Sequence, residues 1–382
     1  MKRIAMVLAV AALVGLMPIR VMAQPDAVSA KSAVLIDVTT GTVLFEQNAH
    51  EKLAPASVTK VMTLLLIMEA IDSGRIRWED TVTASESAAA KGGSQIYLKV
   101  GEAMSVADMV KSIAVSSAND CACAMAEHLA GSEGAFVEKM NTRAVELGMN
   151  DTHFVNCTGL DDGPDALAHR TSAYDIAVMS RELLKNHPDI KKYTTIWMDT
   201  VRDGAFGLAN TNKMVRFYPG CTGLKTGFTS GAGYCLSASA QKEGMELIAV
   251  VMGAETSQDR FAACKGMLDF GFAGFALYTP VLQEGASVPV SLGTAPSVGA
   301  VPAREGTLLV RRDQKGQLQT EITLDPSVTA PVSQGQGLGE LLIRAGDSVL
   351  DRIPLVAETS VPKLTWGQMY WKLLRRILMC PD

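Results

Sequence analysis

The sequence predicts an α+β protein in three parts: a large domain built from a helical block and one antiparallel sheet, a small β-sandwich domain, and a C-terminal amphipathic helix. Three observations lead there. Hairpin-like alternation brackets a helix-rich middle, the composition turns to Val, Pro, Gly and Thr beyond Tyr278, and the tail from Lys363 to Cys380 carries a helical apolar period with cations opposite. With 382 residues, 48% apolar and 20% charged, the chain exceeds one typical domain and has ample material for a core.

Taken in order, Lys2 and Arg3, the uncharged run Ile4 to Met17 and the small-residue pattern Val21-Met22-Ala23 read as a secretory signal peptide over 1–23, so the mature chain starts near Gln24 outside the cytoplasm. Two β-rich runs around Thr39-Thr40-Gly41 predict a hairpin between Ser32 and Phe45. Pro55 and Ser57 open a helix with Val58, Val61, Met62, Leu65, Leu66 and Met68 at helical spacing and Gly74 as its stop. Further helices are expected over 105–116, 119–131, 133–148 and 172–186. Strands over 233–241 and 245–253 flank Lys242-Glu243-Gly244, and a helix follows from Gln258 to about Phe275. The large domain thus spans 24–278. Alternation at Thr307-Leu308-Leu309-Val310 and Leu341-Leu342-Ile343 supports an all-β domain over 279–361 rather than a linker. In 362–382, Trp366, Met369, Tyr370, Leu373, Leu374, Ile377 and Leu378 fall on one helical face opposite Lys372, Arg375 and Arg376, a pattern suited to a membrane interface and too short and charged to span it.

Net charge is −5 with no long basic run, so no nucleic-acid partner is expected. The seven cysteines, Cys121, Cys123, Cys157, Cys221, Cys235, Cys264 and Cys380, are odd in number and sparse, which argues against a disulfide framework; they read as small buried hydrophobes. Five histidines form no H-x-x-x-H or H-x-H pair. No metal and no cofactor are expected.

Chemistry is concentrated at Ser57-Val58-Thr59-Lys60. A serine hydroxyl is a poor nucleophile at neutral pH and needs a base within hydrogen-bond reach. Residues i and i+3 share a helix face, so the Lys60 amine can stand beside the Ser57 oxygen. To act as base the amine must be neutral, about 4 kcal/mol from lysine's ordinary state at pH 7, which burial and a second nearby cation can supply. The same letters recur in Ser239-Ala240-Gln241-Lys242, but strand alternation would send that pair apart, so it is read as chance.

What separates the two is company. Ser117-Ala118-Asn119 lies between two helices and Lys225-Thr226-Gly227 at the head of a strand, and the ordered S-x-x-K, S-x-N, K-T-G series resembles the penicillin-binding protein and serine β-lactamase superfamily. Pro55 to Lys60, Ser117 to Asp120, Asn150-Asp151-Thr152-His153-Phe154, Gly223 to Gly227 and Gly231 to Tyr234 are most similar to the low-molecular-mass D-alanyl-D-alanine carboxypeptidases. That resemblance implies a penicillin-binding/β-lactamase-like fold for the large domain. It implies an acyl-enzyme on Ser57, with Lys60 as base, Ser117 as proton relay, Asn119 holding the substrate amide or Lys60, and Lys225 as the second cation. The N–H groups of Ser57 and of Phe228, just past Gly227, would form the oxyanion hole, and Thr226 and Arg260 would bind the substrate carboxylate. Without the resemblance Arg260 reads as a solvated helix residue. Lys91-Gly92-Gly93-Ser94-Gln95 carries no obvious chemistry, and His169-Arg170-Thr171-Ser172 reads as structural.

The implied partners are a peptidoglycan stem peptide ending in D-Ala-D-Ala, β-lactams as covalent inhibitors, and a membrane surface under the C-terminal helix, on the outer face of the bacterial cytoplasmic membrane. Three alternatives stay open: a β-lactamase, a DD-endopeptidase or transpeptidase on the same scaffold, and a non-catalytic envelope scaffold. Glu182-Leu183-Leu184-Lys185-Asn186 has the letters of a β-lactamase E-x-x-x-N motif, but Glu182 is read as an exposed helical charge.

Overall fold

The computed structural model describes residues 27–281 and 285–378. The signal-peptide segment and Cys380 lie outside the described residues.

A five-stranded antiparallel sheet organises the large domain. Its strands are β1 (Ser32–Asp37), β2 (Val43–Gln47), β3 (Cys221–Thr229), β4 (Gly233–Lys242) and β5 (Met245–Ala254), in the order β2-β1-β5-β4-β3. The N-terminal hairpin therefore completes a sheet whose other strands come some two hundred residues later, with Val34 opposite Val250. Alternation sorts the side chains of the central strands onto two faces. Val34, Ile36, Ile248 and Val250 join the core under the helical block, whereas Ala33, Leu35, Leu247 and Val251 pack against the C-terminal helix of the domain. Because β5 is covered on both sides, all its residues are buried, and from Leu247 to Ala254 it reads as an unbroken apolar run.

The helical block comprises α1 (Lys60–Asp72), α2 (Val106–Ser116), α3 (Asn119–Ala130), α4 (Glu133–Glu146) and α5 (Ala173–Asn186). In α1 Val61, Met62, Leu64, Leu65, Ile67 and Met68 are all buried, so this helix is apolar around its circumference and runs through the centre of the block. The starts of α2, α4 and α5 are fixed by Ser105, Ser132 and Ser172, whose hydroxyls accept from the N–H three residues on. The opposite face of the sheet is covered by α6 (Ser257–Gly274), opened by a capping box between Thr256 and Asp259.

Beyond Tyr278 a six-stranded sheet forms the small domain, around Val288, Leu338, Leu341, Ile343, Ile353 and Leu355. A two-stranded ladder joins Phe275–Tyr278 to Leu308–Arg311. Arg312 straps this junction: its N–H donates to Gly274 O and its Nε to Phe272 O at the end of α6. The terminal helix α7 (Trp366–Ile377) follows. Short hairpins at Thr81–Thr83 with Ala103–Ser105 and at Met198–Val201 with Phe206–Ala209 are additions that the sequence pattern did not foretell.

Candidate active site

The site lies where the start of α1 meets β3, an edge strand of the sheet. The chain arrives through Ala56, which has a φ of 48°, makes one 3-10 turn over Ala56–Thr59, and becomes α-helical at Lys60. Two glycines allow this turn its place. A Cβ on Gly159, whose φ is 82°, would stand 1.8 Å from Ala56 O, and one on Gly227 would stand 2.7 Å from Pro55 O. Neither position tolerates a side chain without moving the Ser57 turn.

Lys60 is fully buried, and its Nζ donates to Ser57 Oγ at 3.0 Å and to Thr158 O at 2.8 Å. Burial pushes the amine down to about 7, against smaller opposing effects of Cys157 and Asp120. The pair thus sets a serine hydroxyl beside an amine that is largely unprotonated just above neutrality. Thr59, between them, is held from behind. His169 takes a hydrogen bond from Val155 N–H at Nδ1 (3.2 Å), so its Nε2 carries the proton and donates to Thr59 Oγ1 (2.8 Å). Burial, then the nearby His153 and Arg170, bring His169 down to about 4, and the ring is neutral.

Ser117 occupies the break between α2 and α3 in the left-handed region, with φ 63°. Its Oγ and the Oδ1 of Asn119 are buried and find no partner among the described residues. The rest of Asn119 is fixed: its N–H donates to Ser94 O and its Nδ2 to Gly92 O, both at 2.7 Å. The 91–95 segment, which in sequence carried no chemistry, is the support that orients this side chain.

Lys225 sits in the middle of β3, opposite Ser237, not at the strand's head as its motif suggested. It is buried and donates to Thr226 O at 2.9 Å. Its amine is held well below the ordinary lysine range by burial, then by the charges of Lys60 and Arg260. The expected tuning is therefore distributed differently: burial dominates at both lysines, and the repulsion of neighbouring cations is felt at Lys225. Thr226 donates to Thr211 Oγ1 at 2.7 Å, and Phe228 is 53% exposed with its ring 4.3 Å from that of Tyr234.

Arg260 corrects its reading as a solvated residue. It is buried, Nη1 donates to Gly227 O (2.9 Å) and Cys235 O (3.2 Å), and the guanidinium lies over the rings of Tyr234 and Phe261. It straps β3 to β4 at the paired residues Gly227 and Cys235. Glu182 also differs from its expected exposure: it is half-buried and accepts from Arg143 Nη2 at 2.7 Å, beside Glu69 on the same arginine. Glu69 lies nine residues along α1 from Lys60, about 13 Å by helical rise, so Glu182 sits at the far end of that helix from Ser57. All six described cysteines are free, and five are buried. The supporting groups that sequence reasoning missed are Thr158, whose carbonyl holds Lys60, together with Gly92, Ser94, Gly159 and Thr211. Most contribute backbone atoms, which leave no residue-type signal; Gly159, beside Lys60's carbonyl partner, is the one position whose residue type is dictated.

A family model described as D-alanyl-D-alanine carboxypeptidase matches residues 19–256, and one described as penicillin-binding protein 5, C-terminal domain, matches 278–363. The chain is 44% identical over 341 residues to a D-alanyl-D-alanine carboxypeptidase of Bacillus subtilis, covering 87% of this chain and 86% of that one. Penicillin-binding protein 5 from Haemophilus influenzae is structurally similar with TM-score 0.79 at 29% identity, over 89% of this chain and 100% of that one. Penicillin-binding protein D2 from Listeria monocytogenes, in an ampicillin-bound form, is similar with TM-score 0.59 at 31% identity, over 65% and 100% respectively.

Proposed function

We propose, from the premise that the chain belongs to the D-alanyl-D-alanine carboxypeptidase family, that Ser57 is the nucleophile through which it works. The protein is a serine-type D-Ala-D-Ala carboxypeptidase and a penicillin-binding protein. The observation that carries the assignment of Ser57 is the buried Lys60 amine donating to its Oγ at 3.0 Å. Neutral Lys60 takes the hydroxyl proton as Oγ attacks the carbonyl carbon of the penultimate D-alanine. The N–H groups of Ser57 and Phe228 receive the developing oxyanion. The C–N bond then breaks, Ser117 passes a proton to the departing D-alanine amine, and water hydrolyses the ester with its proton returning through Lys60. Asn119 orients the substrate amide, and Lys225, Thr226 and the free N–H groups of Arg260 attract the terminal carboxylate. A β-lactam enters the same path, its opened ring remaining on Ser57.

The substrate is a peptidoglycan stem peptide ending in D-Ala-D-Ala, met outside the cytoplasm. Helix α7 lies in the outer face of the cytoplasmic membrane. Trp366, Tyr370, Trp371, Leu373 and Ile377 expose 59–87% of their surface, and twelve residues reach about 18 Å, short of a bilayer core. Among the described residues no helix is long and apolar enough to cross a membrane. Release of D-alanine from a tripeptide ending in D-Ala-D-Ala tests the reaction. Penicillin labelling without release would favour a non-catalytic scaffold.

A further inference from the structure

One carboxylate behind the site touches both of the loops that hold it. Glu133, the first residue of α4, places Oε2 2.6 Å from Lys91 Nζ, while its Oε1 accepts from the Cys157 N–H and from the Cys157 thiol, both at 3.2 Å. On one side, Lys91 heads the segment whose Gly92 and Ser94 carbonyls fix Asn119. On the other, Cys157 precedes Thr158, whose carbonyl holds the Lys60 amine, and the Cys157 carbonyl itself accepts from Thr63 of α1 at 2.6 Å.

Glu133 is not required to start its helix, because Ser132 already caps it by accepting from Ala135 N–H. Its carboxylate is instead turned inward, 19% exposed, onto a lysine that is 23% exposed. The other titratable groups facing it are Cys123 and Cys157, both buried; the hydrogen bond with Cys123, then burial and the charge of Glu133, push the Cys157 thiol up, so it serves as a donor. A half-buried ion pair with two further donors is worth more than a surface pair and is directional.

We propose that Glu133, braced by Lys91, is a positioning residue that fixes the Asn119 loop against the Thr158 loop and so sets where the Lys60 amine meets Ser57; this rests on the reaction assigned to Ser57 above. Neither residue is among those assigned above to attack or hold the substrate. Asn156 clamps the same loop by accepting from Thr158 N–H and Gly159 N–H, so loss of Glu133 loosens the loop without collapsing it.

The test is acylation of the whole protein by benzylpenicillin, with the non-covalent binding constant and the first-order acylation step measured separately. Glu133→Ala is expected to slow the first-order step about tenfold with binding changed less than about twofold, since small misplacements act on the chemical step. Glu133→Gln, which keeps an acceptor for Cys157 N–H, recovers most of the rate. Lys91→Met lies between, and adds little on top of Glu133→Ala, because the two act as a unit. Wild-type rates in Glu133→Ala, a Glu133→Gln variant as slow as the alanine, or effects of Lys91→Met and Glu133→Ala that multiply would each overturn the proposal. If the alanine variant does not fold, Lys91→Met and Glu133→Gln decide it, and unchanged acylation in both overturns it. D-alanine release by the wild type is scored separately, so failure of the carboxypeptidase reading is distinguishable from failure of the tether.

Discussion

Ser57-Val58-Thr59-Lys60 and Ser239-Ala240-Gln241-Lys242 share their first and last letters and differ in everything the backbone does with them. In the first, a 3-10 turn passes into a helix and the two polar groups meet at 3.0 Å. In the second, strand β4 sends Ser239 to one face, where it accepts from Thr222, and Lys242 to the other, where its amine lies over the rings of Tyr218 and Phe272. A three-residue spacing has chemical meaning only after the backbone has supplied its period.

The largest expected effect bears directly on that contrast. Ser57→Ala should abolish penicillin labelling and D-alanine release, a loss of more than about a thousandfold, whereas Ser239→Ala should label like the wild type. Labelling that persists in Ser57→Ala breaks the comparison. Next come the lysines: Lys225→Ala is expected to cost at least about a hundredfold in kcat/KM, and Lys242→Ala to leave the rate near that of wild type. Equal losses would show that burial beside Ser57 is not what gives a lysine its role.

The comparison sharpens further with pH. Because Lys60 titrates at about 7, acylation should fall about tenfold for each pH unit well below that value and level off above it. The same depression sets a stability slope. Between pH 7 and the ordinary lysine value of 10.5 the unfolded chain binds more protons at this group than the folded one, so its contribution to stability rises with pH across that window. Denaturant titration of Lys60→Met should lose that slope. The smallest effect is expected for removal of residues after Ser360, which should release the protein from membranes while activity on a soluble peptide is retained. Continued membrane association would place the anchor elsewhere.

Local signals carried much of the architecture. Apolar period and serine caps mark α2, α4 and α5, and alternation marks β4 and β5, because each depends on neighbours a few residues away. The order of the three motifs pointed to the family before any geometry. What stayed hidden depends on partners distant in sequence. Nothing near Ser32 says that its strand will pair with Met245–Ala254. Nothing in Arg260 says that its guanidinium will hold two carbonyls of neighbouring strands. His169 reads as structural in sequence, but its contact, steadying Thr59 between Ser57 and Lys60, appears only when 110 residues of chain are folded back. Lys225 was misplaced within its strand because the apolar run before the motif is too short to reveal how far the strand extends.

The sheet order has a consequence for timing. Ser57 and Lys60 are synthesised early, but the carbonyl that receives the amine is at Thr158, the strand pressed against the turn is β3, and the strand that seats β1 is β5. A nascent chain that has reached Ala130 therefore carries Ser57 and Lys60 in its letters and lacks the walls that strip water from Lys60. The surroundings of Ser57 are complete only once β5, the last strand of the sheet, has been made and has paired with β1.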